Sequence, residues 1–140
     1  MCNSEKIAYL RQYLDSSRKT RRILEEMEAQ RDLMLSVRAV SYDDMPHRSG
    51  ENTADLANIV ARIEELYYEL QAEVDREMEI RSRIASDINR MQDETLRSVL
   101  YYWYILGLKP FDIAERMHYD SIGWIYKLRD KALDSFEIGN

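Results

Sequence analysis

Gly107-Leu108-Lys109-Pro110-Phe111-Asp112-Ile113-Ala114-Glu115-Arg116-Met117-His118-Tyr119-Asp120-Ser121-Ile122-Gly123-Trp124-Ile125-Tyr126-Lys127-Leu128-Arg129-Asp130-Lys131-Ala132-Leu133 reads as helix, turn, helix. Pro110 suits a first helical turn, where a missing N–H leaves no bond unmade. Ile113, Ala114 and Met117 fall at i, i+1 and i+4 and make one apolar stripe, with Ala114 small enough for a second helix to cross closely. His118-Tyr119-Asp120 has no apolar period and reads as the turn, after which Asp120 or Ser121 can cap the next helix. Ile122, Ile125, Leu128 and Ala132 recur at helical spacing and are expected inward. Ser121, Gly123, Tyr126, Lys127, Asp130 and Lys131 are then left outward. A row of small, aromatic and basic side chains is what a helix entering a DNA major groove presents.

The stretch before it completes the unit. Leu96, Val99, Leu100 and Tyr104 form an inner stripe, Asp93 is a candidate N-cap, and Glu94 suits the positive end of the helix dipole. Gly107 can end that helix in a left-handed cap. Residues from about 93 to 136 are therefore predicted to form three short helices, with Phe136 closing the core.

The pattern Leu100-x-x-x-Tyr104-x-x-Gly107, Ile113-Ala114-Glu115-x-Met117, Ser121 and Ile125-Tyr126-Lys127-Leu128-x-x-x-Ala132-Leu133 resembles sigma-70 region 4. It is most similar to the small phage-encoded transcriptional regulators of the RinA and ArpU type, which join such a segment to a helical N-terminal arm. The Asp44-Met45-Pro46 loop ahead of a long helix also resembles that group. The resemblance covers roughly the last third of the chain, and over the arm only architecture and the loop match. It implies a recognition helix at about 121–133 that binds double-stranded DNA through Ser121, Gly123, Tyr126, Lys127 and Lys131. Lys109 and Arg116 would position the protein on the backbone. Two features depart from the pattern. Trp103 stands where such proteins commonly carry Arg, and the turn at His118-Tyr119-Asp120 is one residue longer.

The chain's 140 residues suffice for one domain, or a small domain with an extended arm. Four glycines, two prolines and 33% charged residues favour long helices. The single cysteine, Cys2, cannot form an internal disulfide and fits a free thiol in a reducing cytoplasm. No apolar run approaches a membrane span, and the N-terminus lacks the blocks of a signal peptide. The net charge of −6 lies in the arm: residues 1–80 hold 11 Lys+Arg against 17 Asp+Glu, residues 81–140 nine against nine. DNA binding by one copy is therefore expected to be weak and salt-sensitive. A second copy, or a partner such as RNA polymerase, would strengthen it.

From Ser4 to about Ser41 the chain has no Gly or Pro and reads as one helix, with Ile7, Leu10, Leu14, Leu24, Met27, Met34 and Val37 near heptad spacing. Ser17 and Arg21 interrupt that seam. The surrounding run Asp15–Arg22 reads as a solvated face in preference to a nucleic-acid contact. Asp, Pro, Ser, Gly and Asn cluster in a linker at about 41–52, and Asn52 or Thr53 is a candidate cap for a second long helix. Its stripe is Leu56, Ile59, Ile63, Tyr67, Leu70, Val74, Met78, Ile84, Ile88 and Met91. Neither helix can bury its stripe alone, so an antiparallel hairpin is the simplest solution. The hairpin leaves apolar surface over, which favours self-association, a dimer first of all.

Little points to catalysis. His47 and His118 are isolated, no Cys/His set has zinc spacing, and no Gly-rich loop follows a strand. Glu64, Glu65, Glu69, Glu73 and Glu77 read as an exposed acidic face, because metal-binding helices pair Glu with inward His. In Tyr101-Tyr102-Trp103-Tyr104 only Tyr104 belongs to the stripe. The others are free to pack on the long second helix or to form a partner surface. Trp124 flanks the inner stripe and is expected to be partly buried.

The sequence thus predicts an all-α chain: an antiparallel helical hairpin over residues 1–92 and a three-helix helix-turn-helix domain over 93–140. The function expected is that of a cytoplasmic, sequence-specific DNA-binding transcriptional regulator, neither an enzyme nor a cofactor or metal binder. The alternative is a protein-interaction module that grips RNA polymerase or another host protein. A purely structural coiled coil and an acidic DNA mimic are weaker readings.

Overall fold

The computed structural model describes residues 2–43 and 49–139. All regular structure among them is helical. Helix α1 spans Asn3–Asp43, α2 Ser49–Asn89, α3 Glu94–Leu100, α4 Pro110–Met117 and α5 Ile122–Ser135; a π turn, Tyr101–Ile105, continues α3. The expected linker at about 41–52 is therefore shorter. Helix α2 begins at Ser49, not at a cap on Asn52 or Thr53, because nothing after Gly50 breaks a helix. Asp44, Met45, Pro46 and His47 lie outside the described residues. No described helix is long and apolar enough to cross a membrane.

The chain divides into two compact units, one of residues 1–17 and 76–140 and one of residues 18–75. In the first, the C-terminal helices share a core with the start of α1 and the end of α2. Leu10 from α1 and Ile84 and Ile88 from α2 are fully buried in one cluster with Val99, Leu100, Ile113, Ile125, Ala132, Leu133 and Phe136. The compact unit thus cuts across a line drawn at 92/93. The three short helices do not enclose this core by themselves: Leu10, Ile80, Ile84 and Ile88 supply one of its walls. Polar contacts fix the assembly. The buried Lys6 Nζ donates to the Leu133 carbonyl near the end of α5 at 2.7 Å, and Asn3 Nδ2 donates to Asp134 Oδ1 at 2.9 Å. Tyr9 donates to the buried Asp87 carboxylate and lies 6.2 Å from the Phe136 ring. The Arg81 guanidinium stands 5.8 Å from the Tyr13 ring. Because Tyr9 meets Asp87 and Tyr13 meets Arg81, α1 and α2 run antiparallel here.

The second unit is a two-helix pair, tied by an ion pair of 3.3 Å between Lys19 and the buried Glu73. Its inner positions alternate at three and four residues: Thr20, Ile23, Met27, Gln30, Met34 and Val37 on α1, and Leu56, Ile59, Ile63, Leu66, Leu70 and Glu73 on α2, are all buried or half-buried. This corrects three expectations. Ile23, not Leu24, fills the α1 seam, and Leu66 and Ile80 replace Tyr67 and Met78 on α2. The seam is not interrupted near Ser17. It continues through buried Ser16 and half-buried Thr20, so polar residues hold heptad positions that an apolar count passes over. For the same reason Glu73 does not belong to an exposed acidic face, and Glu77 is half-buried.

Candidate nucleic-acid interface

Helix α3 starts as its sequence dictates, with Asp93 accepting from the Leu96 backbone N–H at 3.1 Å. The π turn then adds a residue's worth of rotation, so Tyr104 and Ile105 both turn into the core. Burial pushes the Tyr104 phenol above its ordinary pKa, with Arg129 pulling the other way. Trp103 is turned aside towards α5. Gly107 follows at φ +65°, and an added Cβ would stand 3.2 Å from Leu14 Cδ2. A left-handed backbone and close packing both require glycine there.

Pro110 opens α4, whose Ile113 and Ala114 are buried. His118 ends it in a left-handed conformation, φ 61°, and its N–H bonds back to the carbonyls of Ala114 and Glu115. The ring of His118 is exposed. Ser121 caps α5, its Oγ accepting from the Trp124 N–H at 3.4 Å. Ile125, Leu128, Ala132 and Leu133 hold α5 on the core, and Phe136 is fully buried behind it.

This leaves one face of α5 in solvent. Ser121, Gly123, Tyr126, Lys127, Asp130 and Lys131 are all exposed, as are Lys109 at the start of α4 and Arg116 near its end. Gly123, Lys127 and Lys131 are spaced four apart and form a row, with Tyr126 and Asp130 beside it. Ser121 Oγ is occupied as an acceptor, but its O–H can still donate to an anion. An added Cβ on Gly123 would meet only Ser121 Oγ, at 3.5 Å, so packing does not demand glycine at this position.

Aromatic side chains brace the row. Tyr126 lies edge-on to Trp103, with ring centroids 5.4 Å apart. The Arg129 guanidinium sits 4.6 Å from the Trp103 ring and 5.6 Å from Tyr126. Arg129 is thus drawn inward, with its Nε buried and without a hydrogen-bond partner. Of the three cations near the end of α5, only Lys127 and Lys131 project freely. Trp103 packs on α5, against Tyr126 and Arg129, and Arg116 stands 5.7 Å from the Tyr102 ring.

Two sequence expectations are corrected. Ile122 is 43% exposed, because it is the first residue of α5 and α4 does not reach it. Trp124 is 44% exposed, edge-on to Tyr119 at 6.5 Å. Phe111, in the first turn of α4, is 58% exposed and is a residue that periodicity did not single out. Among the described residues no set of three His, Cys, Asp or Glu side chains could hold a metal ion. No protein-family model, curated protein or solved structure matches the chain.

Proposed function

We propose that the protein is a sequence-specific DNA-binding transcriptional regulator of phage or prophage type, working in the cytoplasm, with α5 as its recognition helix. The observation that carries this reading is the solvent-facing row Gly123, Lys127 and Lys131 beside Tyr126, on a helix capped at Ser121 and held rigidly through Ile125, Leu128 and Ala132. A small residue admits the DNA backbone, the lysines reach phosphates or guanine edges, and the tyrosine contacts a base or sugar. Lys109 and Arg116 add backbone contacts from α4. Four cations would neutralise four phosphates, giving a salt slope of about −3.6.

The test is selection of binding sites from random duplex DNA at about 50 and about 200 mM salt, the range over which phosphate-driven binding collapses. An enriched motif that survives the higher salt is expected. No enrichment at either salt would overturn the reading.

A second reading draws on the exposed Phe111, Ile122 and Trp124. Aromatic and apolar residues in a neutral surround suit a protein interface, with RNA polymerase or another host protein as the partner. Binding to purified polymerase without DNA would favour it.

A further inference from the structure

The two-helix unit of residues 18–75 has one polar flank and one apolar flank. Beside the buried seam on one side stand Lys19, Glu26 and Leu33 from α1 and Arg62 and Glu69 from α2, mostly charged. On the other side stand Leu24 (49% exposed), Arg31 and Arg38 from α1 and Val60 (43%), Tyr67 (49%) and half-buried Val74 from α2, so that this flank is apolar along α2 and at Leu24. In an antiparallel pair these positions fall on one face, because each follows its helix's seam in the same rotational sense. The seam positions next to them, Met27, Met34, Leu56, Ile63 and Leu70, are only half-buried, whereas Ile23, Ile59 and Leu66 on the far side are buried. On α2 the open face runs Leu56, Val60, Ile63, Tyr67, Leu70 and Val74, again spaced by four and three residues. That is a second heptad seam with no helix on it.

We propose that this face is covered by a second copy of the chain, the two hairpins forming a four-helix bundle about a two-fold axis. Heptad spacing selects a helix as the occupant, and a face built from two adjacent helices selects a pair of helices. The chain itself carries the matching surface, as an isologous contact requires. Charge sets the orientation. On α1, Arg31 and Arg38 follow Leu24 at the same heptad position, and Glu64 borders the stripe on α2. With the axis parallel to the helices, α1 of one copy lies over α2 of the other and Arg31 meets Glu64 of opposite sign. With the axis across them, α1 faces α1 and the arginines cluster. Residues 56–74 rise about 27 Å and two helices are about 20 Å wide, a flat projection on the order of 500 Å². The accessible area of such a ridged surface is larger and approaches the roughly 800 Å² that each partner gives to a standard interface. The inference does not depend on DNA binding.

The experiment is sedimentation equilibrium of the full chain without DNA at about 1–100 µM, covering the weak end of affinities for interfaces of this size. A dimer is expected. Val60→Glu with Tyr67→Glu should leave a monomer of unchanged helicity by circular dichroism, since both positions are already open to water. The dissociation constant should rise about tenfold or more for each substituted residue, as at a central interface anchor. Tyr68→Glu, next in sequence but facing away, should leave the dimer intact. Arg31→Glu should weaken it, and Arg31→Glu with Glu64→Arg should restore it. A monomer throughout the range, or a dimer indifferent to Val60→Glu and Tyr67→Glu, would overturn the proposal. Failure of the double charge reversal to restore association would overturn the crossed arrangement.

Discussion

Gly123→Ala separates fold from function at a single atom. Gly123 is the second residue of α5, and its missing Cβ would stand in open space but for Ser121 Oγ at 3.5 Å. Glycine inside a helix costs about 0.8–1.0 kcal/mol relative to alanine, and in the first turn about half of that applies. The variant should therefore be more stable by about 0.5 kcal/mol. With a urea dependence of about 2 kcal/mol per molar, the unfolding midpoint should rise by roughly 0.25 M. DNA affinity should move the other way. On the proposed reading, a methyl group on the face next to Lys127 would hold the helix away from the groove and disturb contacts worth about 1–3 kcal/mol, a loss of tenfold or more. Urea unfolding followed by circular dichroism reads the first quantity, and fluorescence anisotropy with a selected duplex reads the second. A lower midpoint would show that the Cβ is not in open space. A higher midpoint with unchanged affinity would refute the close approach of α5 to DNA at this residue.

The contrasting substitution, Gly107→Ala, should destabilise by about 1–2 kcal/mol, because alanine is strained at φ +65° and Leu14 Cδ2 lies 3.2 Å from the new Cβ; the urea midpoint checks it. Lys127→Ala with Lys131→Ala should abolish specific DNA binding at about 200 mM salt, and the salt slope remaining at low salt should shrink by about 2, helicity being unchanged. A fragment of residues 93–140 should be largely unfolded by circular dichroism, since Leu10, Ile80, Ile84 and Ile88 would no longer close its core. Tyr9 gives a pH dependence. Burial and the hydrogen bond to Asp87 push its phenol up to about 12 from an ordinary value of 10.0, so its contribution is whole below the lower value and is lost as pH rises through the higher. Urea midpoints measured between those two pH values should fall for the natural chain and fall less for Tyr9→Phe.

Local chemistry made much of the C-terminal region legible. Asp93, Pro110 and Ser121 act within one turn of their own positions, so the starts of α3, α4 and α5 could be read directly. The outward row of α5 was legible too, because Ile125, Leu128 and Ala132 fix which side faces the core. Trp103 was not: its direction depends on the π turn, a backbone choice made by packing Tyr104 and Ile105 together into the core. Nor could the sequence withdraw Arg129, because the nearer of its two rings, Trp103, comes from the π turn, while Tyr126 belongs to its own helix.

The arm divides in the same way. Its sequence by itself determined two long helices, through the absence of Gly and Pro before Pro46 and after Gly50 and the recurrence of apolar residues. Only tertiary structure decided the register, putting Ile23 and Leu66 inside and leaving Leu24 and Tyr67 at the rim. Neighbours on a helix differ by about 100° of rotation, so adjacent apolar residues compete for one seam, and the partner helix chooses between them. Tertiary structure also decided that the helix-turn-helix core is completed by residues from both ends of the arm. Periodicity reports which face of a helix seeks cover, but a side chain's cover comes from residues distant in sequence, and only the folded chain brings them together.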